Sequence, residues 1–331
     1  MKNVIGVLTI AVASTWAAGN CLAADPPAWA YGFTSYAPPP PPAAPGAGRG
    51  AGRGPAPAPD QTLKSLPGST LQFTQAQIGD GNGPADWFPG DHPTMPDVVA
   101  HGHAPDVRAC SLCHYPNGKG RAENAGVAGL PVSYFLQTMA DFRNGNRKSS
   151  DARKANTNIM AGIAKGMTEE ETKAAAEYFG SMKWTPWVKV VETDTVPKTR
   201  IQGGLFLALD GNDKEPIDGR IIEVPENTEQ TERLRNPRSA FIVYAPVGSL
   251  KKGEALAKAA QCGSCHGSDL KGLGPVPPIA GRSPSYMVRQ MFDMQSGARK
   301  GEWTELMKPV VAKMSNDDLR DVAAFVASQK P

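Results

Sequence analysis

"RACSLCHYPNGKG", residues 108–120, places two thiols and an imidazole within five positions: Cys110, Cys113 and His114. A second stretch, "AQCGSCHGSDLKG" at 260–272, repeats the arrangement at Cys262, Cys265 and His266. The chain has five cysteines, and the fifth is Cys21. No cysteine between the motifs is left to pair with them. Either each C-x-x-C closes on itself, or another chemistry consumes the thiols.

C-x-x-C followed by His is the attachment pattern of a c-type haem. Two thiols add across the two vinyl groups of the porphyrin, and the two-residue spacer lets them reach neighbouring pyrrole rings. The adjacent imidazole then serves as the proximal iron ligand. Two other readings compete. A thioredoxin-like dithiol opens a helix after a strand, whereas "VRACSLCH" and "AKAAQCGSCH" follow helical or irregular sequence. A structural zinc site needs a fourth ligand, and neither motif has one nearby. The motifs therefore predict two covalently bound haem c groups, on Cys110 and Cys113 and on Cys262 and Cys265, with His114 and His266 on the irons.

The match between the motifs extends beyond them. "AGLPVSYFLQTMADFRNGNRK" at 128–148 aligns without a gap with "AGRSPSYMVRQMFDMQSGARK" at 280–300. Both carry apolar residues at helical spacing. After a five-residue difference, "IMAGIAKGMTEEETKAAAEYFGSM" aligns with "LMKPVVAKMSNDDLRDVAAFVASQ". Thr168 with Glu171 and Ser315 with Asp318 form capping-box patterns that start the last helix of each copy. Met160 and Met307 stand eight residues before those caps, at a place expected to be a loop. A thioether there suits the distal position on iron, where it raises the reduction potential. The competing role, core methionines filling gaps, fits Met139, Met291, Met167 and Met314 better.

Together these motifs resemble the class I cytochromes c, and their pairing resembles the two-domain cytochrome c4 group. The resemblance implies an all-α fold of two tandem domains, with a mixed inter-domain segment that can hold a β-hairpin. It also implies a soluble periplasmic carrier. Such a carrier passes single electrons from a dehydrogenase or quinol-oxidising complex to a terminal oxidase or other acceptor. The alternative is a di-haem enzyme, a peroxidase or a sulfur-compound dehydrogenase, with one open or non-Met-ligated iron. The methionine in each copy favours the carrier.

The remaining sequence divides readily. Residues 1–24 have a positive start, an apolar stretch of about 15 residues and a small-residue cleavage zone. They read as a secretory signal, cut after Ala23 or Ala24, that takes Cys21 with it. Asn20 argues against lipidation at Cys21, and the apolar stretch is short for a span. The expected boundaries are a Pro/Gly-rich flexible tail at 25–75, a first haem domain at 76–183, an inter-domain segment at 184–245 and a second haem domain at 246–331. The tail holds "APPPPPAAPGAGRGAGRGPAPAPD", with Arg49 and Arg53. In the segment, "RIIEV" and "AFIVY" read as paired strands, and the charges from Asp210 to Arg238 read as a solvated face or a partner-orienting one. His92, His101 and His103 precede the first motif; one of them could replace Met160 on iron or bind another metal, but the "HGH" pair lacks carboxylates at ligand spacing and surface histidines are the commoner case. A net charge of +3 argues for neither nucleic acid nor an anionic membrane as the main partner.

Overall fold

The computed structural model describes residues 25–37 and 60–331. The expected signal segment 1–24 with Cys21, and the Pro/Gly run at 38–59 with Arg49 and Arg53, lie outside the described residues.

A first helical unit contains α1 (Asp97–Ala100), α2 (Cys110–His114), α3 (Val132–Arg143), α4 (Ala155–Gly166) and α5 (Glu169–Gly180). A second contains α6 (Ser249–Ala259), α7 (Cys262–His266), α8 (Pro284–Gln295), α9 (Thr304–Val311) and α10 (Asn316–Ser328). The duplication is geometric as well as sequential: α2 and α7 have equal lengths, and so do α3 and α8. Both capping boxes form. Thr168 Oγ1 accepts the Glu171 amide at 3.1 Å, and Glu171 accepts the Thr168 amide at 2.8 Å. In the second copy Asp318 replaces Glu yet still reaches the Ser315 amide, at 2.9 Å. These caps satisfy amides that the first helical turn leaves unpaired.

Met160 and Met307 are not in loops. They lie on α4 and α9. "ANTNIMAGIAKG" contains no proline and places Ile159, Met160 and Ile163 at helical intervals, so the helix forms and buries part of that face. In α9, Pro309 sits inside the helix and removes one amide donor.

The chain is mostly helical with several strands, and most of the strands fall in the segment expected to be mixed. Between the two helical units lie β1 (Val188–Glu192), β2 (Thr195–Pro197), β3 (Thr199–Gln202), β4 (Leu205–Ala208), β5 (Lys214–Pro216), β6 (Ile222–Pro225) and β7 (Phe241–Ala245). β6 and β7 pair antiparallel with Ile222 opposite Tyr244, and β7 pairs parallel with β1. β3 and β4 form a hairpin turning on Gly203–Gly204, both at positive φ, the backbone a two-residue turn requires. Val196, Phe206, Ile217, Ile222 and Val224 make its core. These strands also serve the second unit. Glu223 is buried on β6, and its Oε2 accepts from Ser283 Oγ at 2.8 Å and the Ser285 amide at 3.0 Å, at the N-terminus of α8. Burial pushes its carboxyl pKa up.

The flexible-tail expectation fails at both ends of 25–75. Ala30 and Tyr31 are fully buried against α8 and α10. Tyr31 donates to the Asp293 carboxylate at 2.7 Å, and Arg289 donates to the Ala30 carbonyl. Trp29 touches the second unit's helices and the cores of the strand region together. Leu66 shares a core with Ile78, Trp87 and Phe88. Aromatic and aliphatic side chains supply apolar area, about 1.5–3 kcal/mol each when buried, that offsets the cost of ordering the segment.

The two helical units meet through equivalent residues. Arg147 and Arg299 form an antiparallel bridge, flanked by Lys148 N to Ala298 O at 2.8 Å and Lys300 N to Asn146 O at 2.7 Å. Arg147 donates to Tyr286 Oη at 2.7 Å, and Arg299 donates to Tyr134 Oη at 3.1 Å. Burial alone would push the Tyr134 hydroxyl up, but the Arg299 and Arg147 guanidiniums outweigh it and bring the group down to about 8.

Candidate functional site

Each C-x-x-C-H motif is itself a one-turn helix, which turns both thiols and the imidazole toward one side. His114 Nδ1 lies 2.8 Å from the Ala125 carbonyl, and His266 Nδ1 lies 2.8 Å from the Pro277 carbonyl. A carbonyl only accepts, so Nδ1 carries the proton in both rings and Nε2 presents its lone pair. Burial lowers both imidazole pKa values, which keeps them neutral and fit to bind a metal.

A cleft and a smaller neighbouring one are both lined by Cys113, His114, Phe135, Met139 and Met160. The first unit therefore brings its imidazole and its methionine to one space. In the second unit, Met287 and Met291 pack in the cluster holding Met307 and also in the cluster holding Cys262. No disulfide closes either motif. Burial pushes the Cys110 thiol up to about 12 and raises Cys113 and Cys262. A redox dithiol has a lowered pKa, so that reading loses its support.

The residues fit a haem. Val127, Leu130, Phe135 and Phe142 give the larger cleft apolar walls. At its polar side stands Lys154, only 4% exposed, whose Nζ has no hydrogen-bond partner, as does Oε2 of nearby Glu123. Burial, then the Arg289 charge, pulls that amine down to about 7. An orphaned amine beside an apolar-walled cleft suits a ligand that is largely apolar and carboxylate-bearing.

Two residues that the motifs did not reveal hold the methionine helices. Arg143 donates to the carbonyls of Ala164 at 2.9 Å and Met167 at 3.2 Å, at the end of α4. Gln295, its equivalent, donates to Val311 at 2.5 Å and Met314 at 2.7 Å, at the end of α9. They stand at matching positions of the aligned copies, and the exchange of Arg for Gln hid the shared role. His92 is held by Asp86 at 3.1 Å and Tyr178 at 3.1 Å, His103 lies 3.4 Å from Glu171, and His101 faces the Asn82 carbonyl. None of the three lines either cleft. Among the described residues no group of three or more His, Cys, Asp and Glu could hold a metal ion.

The cytochrome c family model matches residues 250–330. Cytochrome c-554(548) of Halomonas halodenitrificans is 37% identical over 74 residues, 22% of this chain and 89% of that protein. The chain belongs to the cytochrome c family. Covalently bound haem c is therefore its cofactor, and its two motifs agree with the di-haem cytochromes among its relatives. Cytochrome c4 of Pseudomonas aeruginosa is 43% identical over 76 residues, 22% of this cytochrome and only 36% of that protein. The thiosulfate dehydrogenase electron acceptor of Stutzerimonas stutzeri is 26% identical over 231 residues, 69% of this cytochrome and 82% of that protein. Among the described residues no helix is long and apolar enough to cross a membrane.

Proposed function

We propose that the protein is a di-haem electron carrier of the periplasm. In this reading His114 and Met160 ligate haem 1, held by Cys110 and Cys113, and His266 and Met307 ligate haem 2, held by Cys262 and Cys265. The observation that carries the reading is the meeting of His114 and Met160 on one apolar cleft, with the imidazole already fixed as its Nδ1–H tautomer. Bound haem supplies one-electron chemistry at iron. The chain contributes ligand orientation, exclusion of water and control of charge. Arg143 and Gln295 hold the methionine helices in place, and the soft thioethers favour the reduced metal. Two protein ligands on each iron would leave no open position for a substrate.

The donor is a dehydrogenase or a quinol-oxidising complex, and the acceptor a terminal oxidase or similar complex. The relative that accepts electrons from thiosulfate dehydrogenase spans 69% of the chain, which supports a dehydrogenase of a small sulfur compound as donor. The absorption spectrum of the oxidised protein, with iron counted, tests the reading. It is expected to show the weak red-region band of methionine sulfur on ferric iron at two equivalents per chain. A high-spin haem that binds cyanide readily would instead support the enzyme reading.

Lys154 supplies a second check. In this reading Lys154 would pair with a carboxylate of haem 1, and its protonated form would favour the reduced iron. Lys154→Gln is expected to lower one of the two potentials by roughly tens of millivolts, on a scale of about 60 mV per tenfold for one electron. The other potential stays fixed in the same potentiometric titration.

A further inference from the structure

Residues 30–35 bind both helical units at once, beside the cleft assigned to haem 1. Both copies wall that cleft: Cys113, His114 and Met160 come from the first, and Arg289, Gln290 and Asp293 from α8 of the second. Tyr31 Oη donates to Asp293 Oδ1 at 2.7 Å, and the Ser150 amide donates to the same oxygen at 2.8 Å. Arg289 spans the join, one nitrogen donating to the Ala30 carbonyl and the other to the Ala122 carbonyl at 2.9 Å. On the first unit, Arg153 donates to the Ser35 carbonyl at 2.8 Å and lies over the Phe33 ring at 3.9 Å. Arg153 stands just before α4, the helix of Met160. Between these two grips Gly32 rests on the strand hairpin, where a Cβ would come within 2.5 Å of the Gly204 backbone. The aligned copy is arranged differently. Gln137, the equivalent of Arg289, donates to Asp141, the equivalent of Asp293, at 3.1 Å within α3 itself.

We propose that residues 30–35 are a strap that seats Arg289 and Asp293 in the wall of the haem 1 cleft, with Tyr31 as the positioning residue that keeps a negative charge there. This rests on the haem 1 assignment above. Two donors converging on one oxygen suit an ionised carboxylate. So do the cations of the cleft: Arg289 on the same helix, and Arg147, Lys148 and Lys154 from the first unit, with Glu123 as the other acid. Burial works the other way and raises the Asp293 pKa, so the charge depends on its donors. A negative charge near iron favours the ferric state. The strap therefore holds the potential of haem 1 below the value that the same cleft would give with a neutral Asp293.

The test is a potentiometric titration of the full di-haem protein at neutral pH. Tyr31→Phe keeps the buried ring and removes only the O–H donor, after which burial favours the neutral carboxyl. One potential is expected to rise by about 60 mV, a tenfold shift of a one-electron equilibrium, while the other stays fixed. Asp293→Asn is expected to raise the same potential by a similar amount, and adding Tyr31→Phe to it is expected to move that potential no further. Asp293→Asn carries the test alone if Tyr31→Phe does not fold. An unmoved potential in either variant, equal shifts of both haems, or additive shifts in the double variant would overturn the proposal. The methionine-sulfur band is recorded in the same samples. A wild type lacking that band at one haem sinks the carrier reading itself, whereas a wild type with both bands and variants with unmoved potentials sinks the strap alone.

Discussion

Met160→His is expected to lower the potential of one haem by on the order of a few hundred millivolts, within the span of about 0.8 V that axial ligands command. The other haem keeps its potential. The thioether is a soft donor that prefers ferrous iron, and a second imidazole stabilises the ferric state instead. Met160 stands on α4 with its helix end held by Arg143, so the backbone is already placed for either side chain. Spectroelectrochemical titration reads the shift, and the red-region band should fall from two equivalents to one. An unmoved potential removes Met160 from the iron and leaves it a wall of the cleft, alongside Met139.

Gly253→Ala is expected to cost the second unit about 3 kcal/mol or more. Gly253 lies on α6 where that helix crosses α10. A Cβ there would sit 1.9 Å from the Asp321 carbonyl oxygen and 2.7 Å from Phe325 Cβ. The Asp321 oxygen belongs to backbone inside a helix, so no rotamer change relieves the clash. The crossing is also pinned by Ser249 Oγ donating to Asp321 Oδ1 at 2.7 Å. Thermal unfolding followed in the haem absorption should show the second unit melting several degrees earlier. A variant that melts with the wild type would mean that the two helices separate at little cost.

Much of this arrangement can be read locally. Thr168 and Ser315 announce their helices because a capping box is a contact between residues three apart. The gapless alignment of 128–148 with 280–300 marks two helices of equal length and character. What escaped depends on partners distant in the chain. Tyr31 is buried by residues more than 250 positions away, with Asp293 on its hydroxyl, so nothing adjacent to "AWAYGF" signals order. Glu223 looks like one acid among many in a charged stretch, yet it caps α8. The methionine helices differ for another reason: a ligand position suggests a loop, whereas the spacing of Ile159, Met160 and Ile163 is helical and decides the local structure.

The junction between the helical units has a symmetry of its own. Arg147 reaches Tyr286 while Arg299 reaches Tyr134, and the bridge pairs Arg147 with Arg299 itself. Residue i of one copy meets residue j of the other, and j meets i. That reciprocity defines an isologous contact, the kind through which identical subunits form a two-fold dimer. The chain thus resembles a covalent dimer of two equivalent modules, with Trp184 of the intervening segment packed between Gly126 of the first and Arg282 of the second. The segment 184–245 differs at its two ends, bracing α8 through Glu223 and covering the residues after the first motif through Arg235 and Pro237. Symmetry at the centre is what allows two chemically similar haems to face unlike surroundings.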